Sequence, residues 1–326
     1  MWPSRHTNEL MRKVLMTGGK VMEEVMGMLP KAIANQMNQL SPFQLNDMEE
    51  IRIRIGRPLE ITCGGKPIFL SYTVKAEDAI QLLNKISHFS IYTLEEELKR
   101  GYVTVAGGHR VGLAGKVILE AGKVKAITDV SSFNFRIAKE KIGICHSLLP
   151  FLYEGDWLHT MIIGPPQTGK TTLIRDLARV ISTGTKTIPA AKVGIVDERS
   201  EIAGSINGVP QLTFGPRVDV LDSCPKAEGM MMMIRSMSPD VLVVDEIGRE
   251  EDGEAILEAV HAGISLLTTT HGHSYADIVK RPTLAPIINS GIFQRFIELS
   301  RLEGPGTILS VKDQHGREIV RKVSVT

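Results

Sequence analysis

The sequence predicts an α/β protein in which a mostly parallel sheet, with helices on both faces, follows a smaller α+β domain. The second half supports this most directly, because short apolar strands alternate there with helical stretches, and parallel strands require such crossovers. These strands lie at 161–163, 193–196, 241–244 and 264–267. In the first half, alternating apolar and polar residues around glycine turns predict a half-buried sheet. The 326 residues are enough for both domains.

The first half is predicted to contain a helical N-terminal extension over 1–40 and the α+β domain over 41–150. Apolar residues at helical spacing over 8–40 include Leu10, Val14, Val21, Val25 and Met28. The other predicted elements are strands at 51–55 and 67–70, helices at 76–88 and 93–100, and two strands within 102–119. The parallel-sheet domain covers 151–326 and ends in predicted antiparallel strands at 295–302, 307–311 and 318–325.

The net charge of +1 is a cancellation between the two halves of the chain. Residues 1–150 carry 20 Lys/Arg and 15 Asp/Glu, whereas residues 151–326 carry 18 and 22. This modest asymmetry is typical of an ordinary solvated surface, or of a basic half that contacts an acidic one. Because only 5% of residues are aromatic and no dense Lys/Arg run occurs, we expect no stable nucleic-acid partner.

The cysteines and the lengths of the apolar runs indicate in which cellular compartment the protein is expected. Cys63, Cys145 and Cys224 are scattered along the chain, which argues against a disulfide framework or a zinc site and favours a reducing environment. No apolar run approaches the ~18 residues of a membrane span. The N-terminus lacks the apolar core of a signal peptide. We therefore expect a cytoplasmic protein.

Residues 164–171 match the P-loop pattern G-x-x-x-x-G-K-[ST] at every fixed position. Such a loop lets backbone N–H groups converge on a phosphate, because glycine has no Cβ to block the approach, and the following helix adds its positive end. The motif predicts that Lys170 reaches the β- and γ-phosphates and that Thr171 binds Mg²⁺. The predicted nucleotide-binding residues are Gly164, Pro165, Pro166, Gln167, Thr168, Gly169, Lys170, Thr171 and Thr172.

A pair of carboxylates follows the strand at 241–244, at the sheet edge where open α/β folds bind their ligands. Asp245 is predicted to hold Mg²⁺, and Glu246 is predicted to polarise the attacking water. The strand at 193–196 lies between the P-loop and this pair along the chain. From it we expect a strand to be inserted in the sheet between the P-loop strand and the Mg²⁺ strand.

Two other segments end predicted strands at the same edge of the sheet. His271 follows three threonines and is predicted to sense the γ-phosphate or the attacking water. Asp197 to Glu201 follow the 193–196 strand. For their carboxylates three roles stay open, namely orienting water, binding Mg²⁺ indirectly, or facing solvent.

These motifs together resemble the RecA-like ATPases of type II and type IV secretion and of pilus retraction. The resemblance rests on the P-loop, the acidic segment 197–201, residues 234–240 and the Thr-Thr-Thr-His box, and residues 51–58 resemble part of the basic N-terminal domain of those motors. The chain is closer still to the stage III sporulation protein AA family of endospore-forming Firmicutes. That resemblance covers about residues 30 to 315 and rests on the segments 107–117, 129–140, 164–179, 196–204 and 224–249. One departure is Asp245 directly before Glu246, where many secretion motors place glycine.

The resemblance implies a RecA-like P-loop ATPase that hydrolyses ATP to ADP and phosphate and powers a secretion-like channel between mother cell and forespore. It further implies a homo-oligomer, a hexameric ring, that sits in the mother-cell cytoplasm, peripheral to the membrane, and contacts the channel components. In secretion motors, arginines of the N-terminal domain approach the nucleotide. Arg110 and Arg136 are therefore the candidate catalytic arginines, and Arg217, Arg235 and Arg249 are their rivals.

Two alternative functions are compatible with the same motifs. One is an ATP-dependent assembly scaffold that binds nucleotide without motor turnover. The other is a RecA-like ATPase that nucleic acid stimulates.

Overall fold

The computed structural model describes residues 22–87 and 101–323. The predicted helical segments at 8–21 and 93–100 lie outside these residues. The chain divides into two compact units, residues 1–139 and 140–326, whereas the sequence-based boundary was placed at 150. Residues 140–150 belong to the second unit, where the backbone N–H groups of Gly143 and Cys145 donate to the Asp176 carboxylate at 3.1 and 3.0 Å.

The first unit is a sheet covered on one face by helices. Helical residues 22–28 precede its labelled elements. In chain order these are α1 (Lys31–Met37), α2 (Pro42–Asp47), β1 (Met48–Arg54), β2 (Pro58–Cys63), β3 (Lys66–Thr73), α3 (Ala76–Ile86), β4 (Tyr102–Val105), β5 (His109–Glu120) and β6 (Lys123–Arg136). The sheet order is β3-β2-β1-β6-β5-β4, and every neighbouring pair is antiparallel.

Alternation along β1 gives this sheet its two faces, as a period of two requires. Ile51 and Ile53 are fully buried in a core that also includes Val25 and Ile33 of the N-terminal helical segments. Glu50 and Arg52 alternate with these isoleucines and pair with each other at 3.0 Å. The polar face of the sheet therefore carries the ion pairs, while the apolar face packs on the helices.

Strands β5 and β6 continue beyond the sheet as a two-stranded arm, residues 116–128. Within the arm the two strands pair with each other from Lys116 opposite Thr128 onwards. Val117, Leu119 and Val124 are exposed by 46, 63 and 45%. Among the described residues, the arm thus presents apolar side chains to solvent.

The second unit alternates strands and helices, and then ends in a hairpin extension. Its elements are α4 (Leu149–Leu152), β7 (Thr160–Ile163), α5 (Lys170–Thr183), β8 (Val193–Asp197), β9 (Val218–Asp222), α6 (Lys226–Ser236), β10 (Val241–Val244), α7 (Glu250–His261), β11 (Ser265–Thr270), α8 (Tyr275–Ile278), α9 (Ala285–Asn289), β12 (Arg295–Ser300), β13 (Thr307–Asp313) and β14 (Glu318–Val323). Among the described helices, none is long and apolar enough to cross a membrane.

The second sheet has the order β14-β13-β12-β7-β11-β10-β8-β9. The strands from β12 to β9 run parallel, and β13 and β14 add to them antiparallel. Separate apolar clusters cover its two faces, one around α5 and one around α6 and α7. Burial on both faces explains why the central strands read as continuous apolar runs.

The sheet order corrects the expectation about the inserted strand. One strand does separate the P-loop strand β7 from β10, but it is β11, and β8 lies on the far side of β10. The expectation was wrong in this respect because crossover connections let the chain order and the sheet order differ. Thr268–Thr270, at the end of β11, therefore lie between the P-loop and Asp245.

Candidate functional site

The P-loop connects the end of β7 to the start of α5 and folds around the Lys170 side chain. The Lys170 ammonium donates to the carbonyl oxygens of Gly164 and Pro165 at 2.9 and 3.1 Å, and it lies 3.2 Å from Nδ1 of His271. Burial lowers the pKa of this ammonium, while the nearby carboxylates of Asp245 and Glu246 act in the opposite direction. The amine is thus held at the amino end of α5, beside the catalytic candidates.

Glycine is required at two points of this loop. A Cβ on Gly164 would come within 2.4 Å of Thr168 Oγ1 and 3.2 Å of Leu299 Cβ. Gly169 has a φ of +90°, which disfavours any side chain, and a Cβ there would meet the backbone nitrogen of Gly306 at 3.1 Å. The two fixed glycines of the sequence pattern therefore have steric reasons that are independent of any ligand.

Asp245 lies at the centre of three elements. Its Oδ2 accepts a hydrogen bond of 2.9 Å from the Thr171 hydroxyl of α5, and its Oδ1 accepts one from Thr269 of β11. Burial raises the pKa of the Asp245 carboxyl, and the two hydroxyl donors partly offset that effect. The structure therefore brings together Thr171 and Asp245, the two residues predicted to bind metal.

Glu246, His271 and Lys170 form a continuous polar line. His271 Nε2 lies 2.8 Å from Glu246 Oε1, while Nδ1 of the same ring faces the Lys170 ammonium. Because an ammonium can only donate, this geometry fits a neutral ring with its proton on Nε2. Glu246 has a φ of +53°, and its backbone N–H donates to Thr269 Oγ1 at 2.9 Å. An unusual backbone conformation thus directs this carboxylate towards His271.

The acidic segment 197–201 begins with the last residue of β8, Asp197, and this residue is buried. The Asp197 carboxylate accepts three backbone hydrogen bonds of 2.8–3.0 Å from residues 201–203. Burial raises its pKa to about 6, although these hydrogen bonds lower it. Arg175 of α5 donates to the carbonyl oxygens of Ile202 and Glu201 at 2.6 and 2.5 Å. Asp197 therefore organises the turn, and its neighbour Glu198 pairs with Lys226.

Sequence analysis missed the contribution of the β12–β13 turn. The Gly306 backbone N–H donates to the Thr168 carbonyl at 2.8 Å, and the Arg301 guanidinium lies 3.1 Å from Gln167 Oε1. Only the sheet order, which places β12 beside β7, brings this turn to the P-loop. For Arg175, by contrast, a signal existed, because it lies one helical turn after Thr171.

The remaining predicted residues have defined places. Pro166 is exposed on the loop, and Thr172 is half-buried in the first turn of α5. In the first unit, Arg110 and Arg136 are register partners on β5 and β6, and Arg136 lies 3.4 Å from Glu50. Of the rival arginines, Arg249 lies 3.8 Å from Glu198, Arg217 lies 4.0 Å from Asp240, and Arg235 is exposed in the last turn of α6.

The donor atoms around Asp245 suit a hard divalent cation. A carboxylate and a hydroxyl oxygen are ligands that Mg²⁺ accepts, and Mg²⁺ usually takes only one or two carboxylates besides water and phosphate oxygens. Within 22–87 and 101–323, no group of three or more His, Cys, Asp or Glu residues could hold a metal. One carboxylate and one hydroxyl, those of Asp245 and Thr171, are ligands that fit a Mg²⁺ whose other ligands are water and phosphate oxygens.

Residues 20–319 match the family described as "Sporulation stage III, protein AA". The chain belongs to this family. It is 56% identical over 304 residues to the stage III sporulation protein AA of Bacillus subtilis strain 168, covering 93% of this chain and 99% of that protein. It is 25% identical over 270 residues to the uncharacterized protein ycf45 of Porphyra purpurea, covering 82% of this chain and 43% of that protein. The predicted family membership is confirmed.

Two solved structures share the fold. The Legionella pneumophila ATPase DotB has a TM-score of 0.57 at 15% identity, covering 89% of this chain and 79% of that one. The pilus retraction motor PilT, solved with ADP, has a TM-score of 0.54 at 17% identity, covering 82% and 76%. At these identities the likeness concerns the fold, and the predicted RecA-like α/β class with an N-terminal domain is confirmed. The chain is a sporulation stage III protein whose fold is similar to those of the ATPase DotB and the pilus retraction motor PilT.

Proposed function

We propose that this chain binds ATP with Mg²⁺ and hydrolyses it to ADP and phosphate. The observation that carries the proposal is the 2.9 Å hydrogen bond between Thr171 and Asp245, which joins the P-loop helix to the end of β10. P-loop ATPases hold Mg²⁺ with this pair of residue types. A glycine turn without nucleotide chemistry would have no need of a buried carboxylate at that position.

The binding part of the proposed site is the loop from Gly164 to Thr172. Its backbone N–H groups and the N-terminus of α5 favour an anion. Lys170 is the cation for the β- and γ-phosphates, and its present partners, two carbonyl oxygens and a histidine nitrogen, are neutral acceptors. Thr171 and Asp245 would hold Mg²⁺, which neutralises phosphate charge when bound.

The chemical part of the proposed site is Glu246, with His271 beside it. A carboxylate next to the γ-phosphate position can orient water for in-line attack, and this is the role we assign to Glu246. His271 contacts both Glu246 and Lys170, at 2.8 and 3.2 Å. If Lys170 moves to a bound phosphate, His271 loses its contact with the ammonium, and this loss can change the contact between His271 and Glu246.

Assembly into a ring would complete the site. Positive charge supplied by a second subunit can raise phosphoryl-transfer rates by about 10³–10⁵. Arg110 and Arg136, on adjacent strands of the first unit, are our candidates for this role. We propose a homo-oligomer, a hexamer, in which residues 151–326 provide the catalytic domain, 41–150 the arginine-bearing domain and 1–40 a helical extension.

Membership of the sporulation stage III family supports the proposal that ATP turnover by this chain serves sporulation. We propose that the ring lies in the mother-cell cytoplasm, peripheral to the membrane, and energises a secretion-like channel to the forespore. The similarity in fold to DotB and PilT supports a motor of this architecture. The channel components would be its partners.

The proposal is tested with Glu246→Gln. Glutamine keeps the size of the side chain but cannot act as a carboxylate, so ATP turnover should fall at least about a hundredfold while binding of a fluorescent ATP analogue persists. Glu258→Gln, at an exposed position of α7, is the matched control and should retain turnover. Rates are measured over a range of protein concentrations, because a site completed by a second subunit loses activity on dilution.

Three outcomes would contradict the proposal in different ways. Equal turnover in wild type and Glu246→Gln would remove the glutamate from the chemistry. Sporulation supported by a turnover-deficient variant would favour the assembly scaffold. Turnover that depends on added single-stranded nucleic acid would favour the nucleic-acid-stimulated ATPase.

A further inference from the structure

Glu246 is held from two sides. On one side His271 Nε2 lies 2.8 Å from Oε1, and on the other the Arg199 guanidinium lies 2.7 Å from Oε2. The Glu246 side chain is 20% exposed, whereas that of Arg199 is 59% exposed. The cation thus lies at the outer side of the carboxylate, and the histidine at the side that faces Lys170.

Arg199 extends from a turn with little freedom to move. Asp197, two residues earlier, is buried and holds the backbone N–H groups of residues 201–203. Ser200, directly after Arg199, has a φ of +52° and donates from its hydroxyl to Asp222 at 2.5 Å. The turn therefore fixes the point from which the guanidinium reaches Glu246.

Two contacts restrict a carboxylate more than one does. With His271 alone, the Glu246 side chain could rotate about its last bonds while keeping a single hydrogen bond. Arg199 donates through Nη1 to Oε2 while His271 lies against Oε1, so each carboxylate oxygen has its own partner and rotation of the carboxylate would break a contact. A base that orients water needs that restriction, because a displacement of about 1 Å can cost two orders of magnitude in rate.

We infer that Arg199 is a positioning residue that orients the Glu246 carboxylate for catalysis. This inference rests on the proposed function. Arg199 acts through Glu246 and not on the nucleotide, in contrast to arginines that contact phosphate. It also links the turn after β8 to the end of β10.

The test compares Arg199→Ala and Arg199→Lys with a matched control. Arg317 forms an ion pair of the same 2.7 Å length with Asp313, at side-chain exposures of 74 and 20%. Arg199→Ala should lower kcat about tenfold to a hundredfold and leave KM for ATP within about twofold. Arg199→Lys keeps the positive charge but not the planar, rigid guanidinium that holds Nη1 against Oε2, and it should give an intermediate kcat. Arg317→Ala should match wild type.

A second comparison asks whether Arg199 acts through Glu246. In a Glu246→Gln background, Arg199→Ala should change neither the residual rate nor the affinity for an ATP analogue. A loss of affinity there would assign Arg199 to the phosphate and overturn the inference. A rise in kcat for Arg199→Ala alone, or no change, would overturn it as well.

A measurement that does not require turnover separates this inference from the proposed function. In nitrogen-15 spectra of the full chain, the Arg199 guanidinium signal is identified by its loss in Arg199→Lys. Glu246→Gln should shift that signal, and an unshifted signal would mean that the contact, and with it the inference, is wrong. Absence of wild-type turnover together with a shifted signal would count against the ATPase proposal but support the contact.

Discussion

The raised pKa of Asp197 predicts a specific pH dependence of stability. Burial raises the pKa of this carboxyl from 3.8 to about 6. The folded protein therefore binds this proton more tightly than the unfolded chain does. The stabilisation that follows is fully present below pH 3.8 and is lost as the pH rises through about 6. Asp197→Asn removes the titrating group and should remove this contribution.

The size of the effect follows from the two pKa values. One pKa unit corresponds to about 1.4 kcal/mol, so the contribution of Asp197 to the free energy of unfolding should fall by about 3 kcal/mol across that range. The amide also loses an acceptor for one of the N–H groups of residues 201–203, which adds a constant cost of about 1–3 kcal/mol. That cost does not depend on pH, so the two effects separate.

The assay is urea unfolding of wild type and Asp197→Asn, monitored by circular dichroism between pH 4 and 7. Because the unfolded chain is already partly ionised at pH 4, the difference in unfolding free energy between them should change by about 2–2.5 kcal/mol in favour of the variant as the pH rises to 7. Asp313→Asn, at a half-buried position at the end of β13, should show no such change in the same direction, because hydrogen bonds from Arg317 and His315 hold the pKa of Asp313 below its usual range. A difference for Asp197→Asn that stays constant with pH would refute the reasoning.

Two further predictions concern the P-loop and its histidine. Gly164→Ala should weaken binding of a fluorescent ATP analogue at least about tenfold, because its Cβ would lie 2.4 Å from Thr168 Oγ1. Gly27→Ala is the control and should bind the analogue normally, because an added Cβ there would meet no atom within 4 Å. Equal affinities of the two variants would contradict the steric argument. His271→Ala should reduce kcat about tenfold or more while ATP binding persists, and His271→Gln should keep more activity, because an amide can accept from Lys170 and donate to Glu246. Steady-state kinetics compares the two His271 variants, and the reverse order would argue against the bridging role.

Local patterns predicted most strands of the second unit and the residues that meet at its edge, but not the outermost parallel strand β9 (Val218–Asp222). The P-loop and the carboxylates after β10 are contiguous in sequence, so their chemistry could be identified without a fold. The order of strands could not, because it depends on which strands pair after each crossover. The strand at 193–196 was therefore placed on the wrong side of β10.

Contacts between segments that are distant in the sequence could not be predicted either. The pairing of Arg199 with Glu246 joins residues that follow β8 and β10, two strands that are adjacent only in the folded sheet. The hydrogen bond between Gly306 and Thr168 depends on the parallel pairing of β12 with β7. From the sequence three roles stayed open for Asp197, and only the fold shows that its carboxylate is buried and accepts hydrogen bonds from the turn that follows β8.

The arm formed by residues 116–128 has a consequence for local unfolding. Its hydrogen bonds join two strands whose apolar side chains stay largely in water, and an isolated hairpin of this kind is marginally stable at best. The arm should therefore open many times for each global unfolding event, so that its amide protons exchange well before those of β1 or of the strands beside the P-loop. Local opening of the arm would leave the apolar cores of both units intact.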